Sequence, residues 1–387
     1  MSRLRSQILA LSITALGLGS VSWIATGCGE IEAVERWPSG AALLADTRSL
    51  DRLLEQVTRL EGTPLARRAE RLRAELPDCP IVEGRAESGR ISDIWPALSC
   101  ATGSADLNGL EQARDGWDIA LSVPVAGDHG LGTLSVEASG DIELELQLPR
   151  AAAEGLASLA LPGGKAAGST ELSASETLIH ARVRPRGGLD LAALVPANSQ
   201  GARLFQLKSE LFAGLVLDGV WEIATYLPEE GQAMPRTALA LNFSNRAAAI
   251  AAMEDFIGNL QKSWPVARTF FRLGEADGAC LLDLAIMPGL APCYVATDRA
   301  LVVGWNPASL RKALDGQGGE RDGLGDSSGA IIHLDRFADA DRILSASLQT
   351  EANARPTRYP WKRISAKATP DASGFRLVLQ FESGRGT

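Results

Sequence analysis

Histidine is nearly missing from this chain. Three stand among 387 residues, at positions 129, 180 and 333, and none lies near a cysteine at the spacing a zinc site needs. The five cysteines contain no Cys-x-x-Cys pair, so neither a zinc ribbon nor a dithiol redox motif is expected. No His-Glu-x-x-His string occurs, which removes the common helical zinc-hydrolase arrangement. Positive charge is also short: 38 Lys and Arg face 47 Asp and Glu, for a formal net charge of −9. An acidic surface disfavours phosphate backbones and anionic lipid heads. The densest basic stretch, Arg67, Arg68, Arg71 and Arg73, is interleaved with Glu70 and Glu75 on an expected helix and reads as a solvated face. No nucleic-acid partner, cofactor or metal is expected.

Uncharged, apolar sequence is plentiful at the start. Arg3 and Arg5 form a positive beginning, residues 8–25 carry no charge, and Ala25, Thr26 and Gly27 precede Cys28. These are the parts of a secretory signal. Ala25-Thr26-Gly27-Cys28 resembles the bacterial lipobox, with Ala25 where that pattern usually has Leu. The resemblance implies lipidation of Cys28, cleavage before it and a membrane partner reached through its lipid. Gly29, not Asp, follows Cys28, which implies outer-membrane sorting facing the periplasm. The rival reading is an uncleaved anchor helix, since spanning takes roughly 17–25 residues. Gly17, Gly19, Ser20, Ser22 and Thr26 dilute the run, and no basic cluster follows it. With residues 1–27 removed the charge moves from −9 to −11, because only Arg3 and Arg5 go with them.

Four further cysteines remain: Cys79, Cys100, Cys280 and Cys293. An even number outside the cytoplasm points to disulfides. Of the three pairings, the local ones, Cys79–Cys100 and Cys280–Cys293, are favoured because each lies within one supersecondary unit.

Periodicity divides the rest. Residues 28–37 read as a tether close to the membrane. A strand at 41–45 is followed by a helix capped by Ser49, with Leu50, Leu53, Leu54, Val57 and Leu60 on one face. Thr63-Pro64 opens a second helix. Residues 117–148 read as a three-stranded meander. Residues 161–175 form a Gly, Ala and Ser-rich connection. A strand follows at 177–183, and an unusually apolar helix at 199–217. Beyond these come a strand at 237–242, a helix at 246–260, strands at 280–285, 294–297 and 301–305, and a helix opened by Asn306-Pro307. A closing hairpin spans 364–381. The fold class expected is α+β: largely antiparallel sheets with helices on one face, in two related modules. The division is a signal at 1–27, tether at 28–37, N-terminal module at 38–160, linker at 161–176 and C-terminal module at 177–387.

Two internal echoes support duplication. Ser39-Gly40-Ala41, then Asp46 and Asp51-Arg52-Leu53-Leu54, returns as Ser328-Gly329-Ala330, then Asp335 and Asp341-Arg342-Ile343-Leu344. Asp115-Gly116-Trp117-Asp118-Ile119-Ala120 returns as Asp218-Gly219-Val220-Trp221-Glu222-Ile223-Ala224. The starts at 41–54 and 330–344, with the run Pro292-Cys293-Tyr294-Val295-Ala296-Thr297-Asp298, resemble uncharacterised bacterial extracytoplasmic lipoproteins of a domain-of-unknown-function family. That resemblance implies tandem α+β modules and a membrane-anchored periplasmic protein, and brings no activity with it.

No catalytic residue is expected. His129 lies in a turn and His180 on a strand. His333 and Asp335, two apart on a strand, could share a face but lack a third partner. Residues 161–170 have the glycines of a phosphate loop in the wrong order, without Lys directly before Ser or Thr. Trp117 and Trp221, in echoed positions, read as core. The expectation is a non-enzymatic, lipid-anchored envelope protein that binds another envelope component, an envelope protein among the possible partners. The alternative is a carrier of lipid or another hydrophobic ligand along the 199–217 helix.

Overall fold

The computed structural model describes residues 42–60, 64–85, 98–101, 117–125, 128–149, 172–183, 220–229, 236–243, 245–263, 266–273, 276–282, 291–315, 328–347, 359–370 and 374–384. Cys28, the expected leader and the expected 199–217 helix lie outside them. In chain order the elements are β1 (Ala42–Asp46), α1 (Thr47–Thr58), α2 (Pro64–Ala74), β2 (Ile81–Arg85), β3 (Ser99–Cys100), β4 (Ile119–Val125), β5 (Asp128–Val136) and β6 (Ile142–Pro149). Then follow β7 (Thr177–Val183), β8 (Trp221–Tyr226), β9 (Arg236–Asn242), α3 (Arg246–Ser263), β10 (Ala267–Leu273), β11 (Ala276–Leu282), β12 (Cys293–Ala296) and β13 (Ala300–Gly304). The last are α4 (Pro307–Leu314), β14 (Ser328–His333), a 3-10 turn (Leu334–Arg336), α5 (Phe337–Ser347), β15 (Trp361–Pro370) and β16 (Gly374–Ser383). The protein is predominantly antiparallel β-sheet. Among the described residues no helix is long and apolar enough to cross a membrane.

The chain forms two compact units. One joins the described residues of 42–149 to those of 359–384; the other runs from 172 to 347. The expected C-terminal module, 177–387, is therefore corrected: its closing hairpin belongs with the N-terminal residues. β16 pairs with β6, setting Leu377, Leu379 and Phe381 opposite Leu146, Leu144 and Ile142. Matching apolar rows brought these strands together, and nothing local in the sequence announces a partner so distant.

In the first unit the strand order is β15-β16-β6-β5-β4-β1-β2-β3. β1 runs straight into α1 without a turn. Asp46, not the expected Ser49, is the N-cap, its Oδ1 accepting from Ser49 N at 2.9 Å. Such a cap is worth about 1 kcal/mol. Leu50 and Leu54 are buried beneath α1, a gain of roughly 2 kcal/mol each. The basic face of α2 packs on α1 through Arg73, whose Nε donates to Asp51 at 2.6 Å. Arg67 and Arg71 are exposed, as a solvated face requires.

In the second unit the order is β10-β11-β12-β13-β9-β8-β7-β14. Strand alternation separates two unlike faces. Ala238, Ala240, Val302, Val295 and both Cys280 and Cys293 share one core with Leu310 and Ala313 of α4. Leu241, Leu301, Tyr294 and Leu281 share the other with Ile257 of α3. Helices thus cover both faces of this sheet, where one face was expected. The cause is that β9 and β13 are apolar on both sides, so each side must be buried. The small-residue face lets α4 come close: a Cβ on Gly304 would stand 2.6 Å from the backbone nitrogen of Leu310.

The 39–54 and 328–344 echo falls at comparable places. β1 lies antiparallel to β4, which opens the meander β4-β5-β6. β14 lies antiparallel to β7, which opens β7-β8-β9. The Trp echo does not keep this phase, since Trp117 precedes the first strand of its meander and Trp221 begins the second of the other.

Candidate functional site: a charged cleft in the second unit

The cleft begins from a local signature. Asn306 caps α4, with Oδ1 accepting from Ser309 N and Ser309 Oγ at 2.8 Å each, and Pro307 stands in the first turn. The buried Ser309 hydroxyl accepts in turn from Thr237 N at 3.2 Å. That bond ties the start of α4 to β9, and Ser173 N, donating to Ala313 O at 2.9 Å, ties its end to the segment before β7. Lys312, one turn beyond Ser309, is thereby aimed at the residue preceding β7.

That residue is Glu176. Lys312 Nζ lies 2.9 Å from its Oε2, and Arg236 Nη2 lies 3.5 Å from the same oxygen. Arg236, the first residue of β9, also donates from Nη1 to Glu229 at 3.1 Å and from Nε to Leu227 O at 2.7 Å. The hydrogen bond from Lys312 holds the Glu176 carboxyl below its ordinary value near 4.5, against the opposing effect of partial burial. Glu176 has φ of 59°, the one positive value outside glycine among the described residues. A left-handed backbone costs a residue with a Cβ roughly 1–2 kcal/mol.

Arg236 and Lys312 line an open cleft of about 760 Å³. Small-molecule sites fall in the range of roughly 300–1,000 Å³. Its lining also holds Arg246, Arg311, Glu229, Asp298 and Asp315, together with an apolar floor of Leu273, Ala276, Val295 and Leu314, the last three packed on the core beneath α4. Arg246 donates to Ala296 O at 3.2 Å and Arg311 to Pro307 O at 3.4 Å.

The sheet of this unit also carries buried polar residues on β7 and β8. Arg182 on β7 stands opposite Glu222 on β8, Nε to Oε1 at 3.0 Å. The other Glu222 oxygen accepts from Leu172 N at 3.1 Å. Tyr226 is fully buried, its hydroxyl finds no hydrogen-bond partner among the described residues, and burial with the Glu222 charge pushes its phenol upward.

The expected disulfides are present. Cys79 is bonded to Cys100 and Cys280 to Cys293. Cys280 and Cys293 are direct cross-strand partners on β11 and β12. Cys28, the expected lipidation site, and the glycine-rich 161–170 stretch lie outside the described residues. Backbone placement puts His129 in β5 rather than in a turn. His180 is buried in β7. The expected shared face of His333 and Asp335 is corrected: His333 ends β14 and Asp335 sits in the following 3-10 turn, which breaks the two-residue period. Gly325-Asp326-Ser327-Ser328-Gly329 has the Gly-x-Ser-x-Gly spelling of a nucleophile elbow; Ser327, the nucleophile position, lies outside the described residues, and the residue after it, Ser328, opens a strand where an elbow leads into a helix. Among the described residues no group of three His, Cys, Asp or Glu could hold a metal ion. Trp221 packs against the core under α3, in keeping with a packing role.

Sequence reasoning passed over the cleft. Its only local trace is the cap signature at Asn306-Pro307, since Glu176, Arg236 and Lys312 belong to three elements far apart in the chain. No protein family, no curated protein and no solved structure matches this chain.

Proposed function

We propose that this is an extracytoplasmic protein, tethered by lipid on Cys28 to a membrane, with the outer membrane facing the periplasm as its place. It acts by binding rather than catalysis, and the Arg236–Lys312 cleft is where a ligand or a segment of an envelope partner enters. The observation that carries the address is the pair of local disulfides, in a chain whose residues 1–27 read as an export signal, since such bonds persist in oxidising compartments. The cleft supports binding: it combines fixed charges with an apolar floor. The equivalent settings of β1 and β14 support an origin of both units from one strand–helix–meander module. The apolar floor also favours a second reading, a carrier of a hydrophobic ligand.

Two measurements test this. Replacing Cys28→Ser is expected to abolish incorporation of labelled palmitate and to shift the protein out of the membrane fraction; unchanged labelling and fractionation refute the tether. Photo-crosslinking in intact cells from Asp298 in the cleft lining is expected to capture a discrete envelope component. If crosslinks form equally from a site remote from the cleft, such as Arg67, the cleft is not where binding occurs.

A further inference from the structure

We propose that the cleft is a receptor for the anionic head of an amphiphile, and that Glu176 is the internal anion that holds its place in the free protein. The proposal rests on the reading above that this protein acts by binding. It goes further by naming the ligand chemistry: a carboxylate or phosphate on an apolar body.

Three observations converge. First, the side chains of Arg236 and Lys312 are only 10% and 12% exposed, so both cations are largely out of water. Cations in such a place need an anion against them, because an unpaired buried charge is strongly destabilising. Second, the anion they share is loosely seated. The Glu176 side chain is 53% exposed, offers one oxygen to both cations, and hangs from the one non-glycine residue with a positive φ among the described residues. Strain of this kind gathers at sites that switch. Glu229 keeps its own bond to Arg236, so Glu176 can leave without stripping that guanidinium of every carboxylate. Third, the cleft lining holds four cations, Arg236, Arg246, Arg311 and Lys312, against three carboxylates, Glu229, Asp298 and Asp315, so an anion is still in demand once Glu176 leaves. Arg246 and Arg311 each donate to a backbone carbonyl, and a guanidinium has five N–H donors. The floor of Leu273, Ala276, Val295 and Leu314 would accept the apolar body.

A ligand head would take the place of the Glu176 carboxylate between Lys312 and Arg236. Glu176 would swing into solvent, and the apolar part would lie along the floor. An uncharged amphiphile would gain the floor alone and would not compete with Glu176.

The test is equilibrium binding to the purified, oxidised protein by titration calorimetry. The probes are decanoate, dihexanoyl phosphatidate, decanol and inorganic phosphate, the amphiphiles held below their micellar concentrations. At least one charged amphiphile is expected to bind at a single site, and which one binds tighter identifies the head. Glu176→Gly removes the internal competitor and suits the left-handed backbone; it is expected to tighten that binding about tenfold, a change of about 1.4 kcal/mol. Lys312→Gln is expected to weaken it by a similar factor. A gain of affinity in Glu176→Gly cannot come from misfolding, so the proposal stays testable if Lys312→Gln folds poorly. Failure of both charged amphiphiles to bind overturns it. So does binding that Glu176→Gly leaves unchanged, decanol binding that responds equally to both substitutions, or inorganic phosphate binding as tightly as the amphiphiles. If a specific crosslink from Asp298 persists in cells despite such a result, binding through the cleft stands and only the anionic-ligand assignment falls.

Discussion

Replacing Arg182→Met gives the sharpest test of the second unit. Arg182 and Glu222 are 5% and 1% exposed at their side chains and face each other across β7 and β8. Removing the guanidinium leaves the Glu222 carboxylate buried among Ala224, Ala240 and Leu172. Breaking one side of a buried pair costs about 3–5 kcal/mol. Glu222→Gln retains an acceptor for the Leu172 N–H but strands the Arg182 charge, at a similar cost. The double variant places a neutral amide beside a thioether and leaves no stranded charge. It is expected to lose only about 1–2 kcal/mol, because the pair's attraction is largely offset by the desolvation of both ions. The coupling between the two changes is then several kcal/mol, and of the sign that makes the double better than the sum. Urea unfolding with disulfides intact measures all four corners of the cycle, and Trp221 on the same strand gives a fluorescence signal. A cost below about 1 kcal/mol for Arg182→Met, or a double variant that loses the sum of the singles, would refute the buried-pair reasoning.

Other consequences are as direct. Denatured, unreduced protein lacking Cys28 should show no reactive thiol, and the Cys280→Ala/Cys293→Ala pair should lose about 3 kcal/mol in the loop-entropy account; free thiols at the four positions contradict the pairing. A Cβ on Gly278 would meet Tyr294 O at 2.5 Å, so Gly278→Ala should cost about 1–3 kcal/mol, whereas Gly258→Ala on α3, with nothing within 4 Å, should stabilise by up to about 1 kcal/mol. Thermal melts that rank the two in the opposite order dispose of that argument. Glu176 and Glu254 are both held below their ordinary value near 4.5, by hydrogen bonds from Lys312 and Arg268 respectively. Depressed folded values mean that their stabilisation is complete above about 4.5 and fades as pH falls through the lower folded values. An acid titration of stability that is flat below pH ~4.5 would contradict this sign. Asp46→Ala should cost about 1 kcal/mol through loss of the α1 cap.

Legibility followed the range of the interactions. The meander of β4, β5 and β6 was visible because hairpins pair neighbours and Ile142, Leu144 and Leu146 alternate with polar residues. Even there the face was less simple than its period: Glu145 is buried and takes an ion pair from Arg376 on β16. The Asn306-Pro307 start of α4 was visible because a cap is a contact across three residues. β10 was missed because an edge strand meets a neighbour on one side only, and Phe270 lies 71% exposed with Arg268 over its ring, so no buried period is imposed. β2 and β3 were missed because they are short and carry no alternation. Ser49 lost the cap to Asp46 because the strand leads into the helix three residues earlier than the apolar period shows.

What the residues determined unaided was whatever a contiguous stretch can encode: an uncharged apolar run ahead of Cys28, amphipathic periods, turn and cap chemistry, and cysteine pairs close enough in sequence to meet. Tertiary structure alone decided which strands from opposite ends of the chain share a sheet, that α3 and α4 lie on opposite sides of the second one, and that Glu176 sits between Arg236 and Lys312. Those outcomes depend on matching apolar rows and on pairing buried charges across long loops. Their free energy appears only when distant segments meet, so no local pattern carries it.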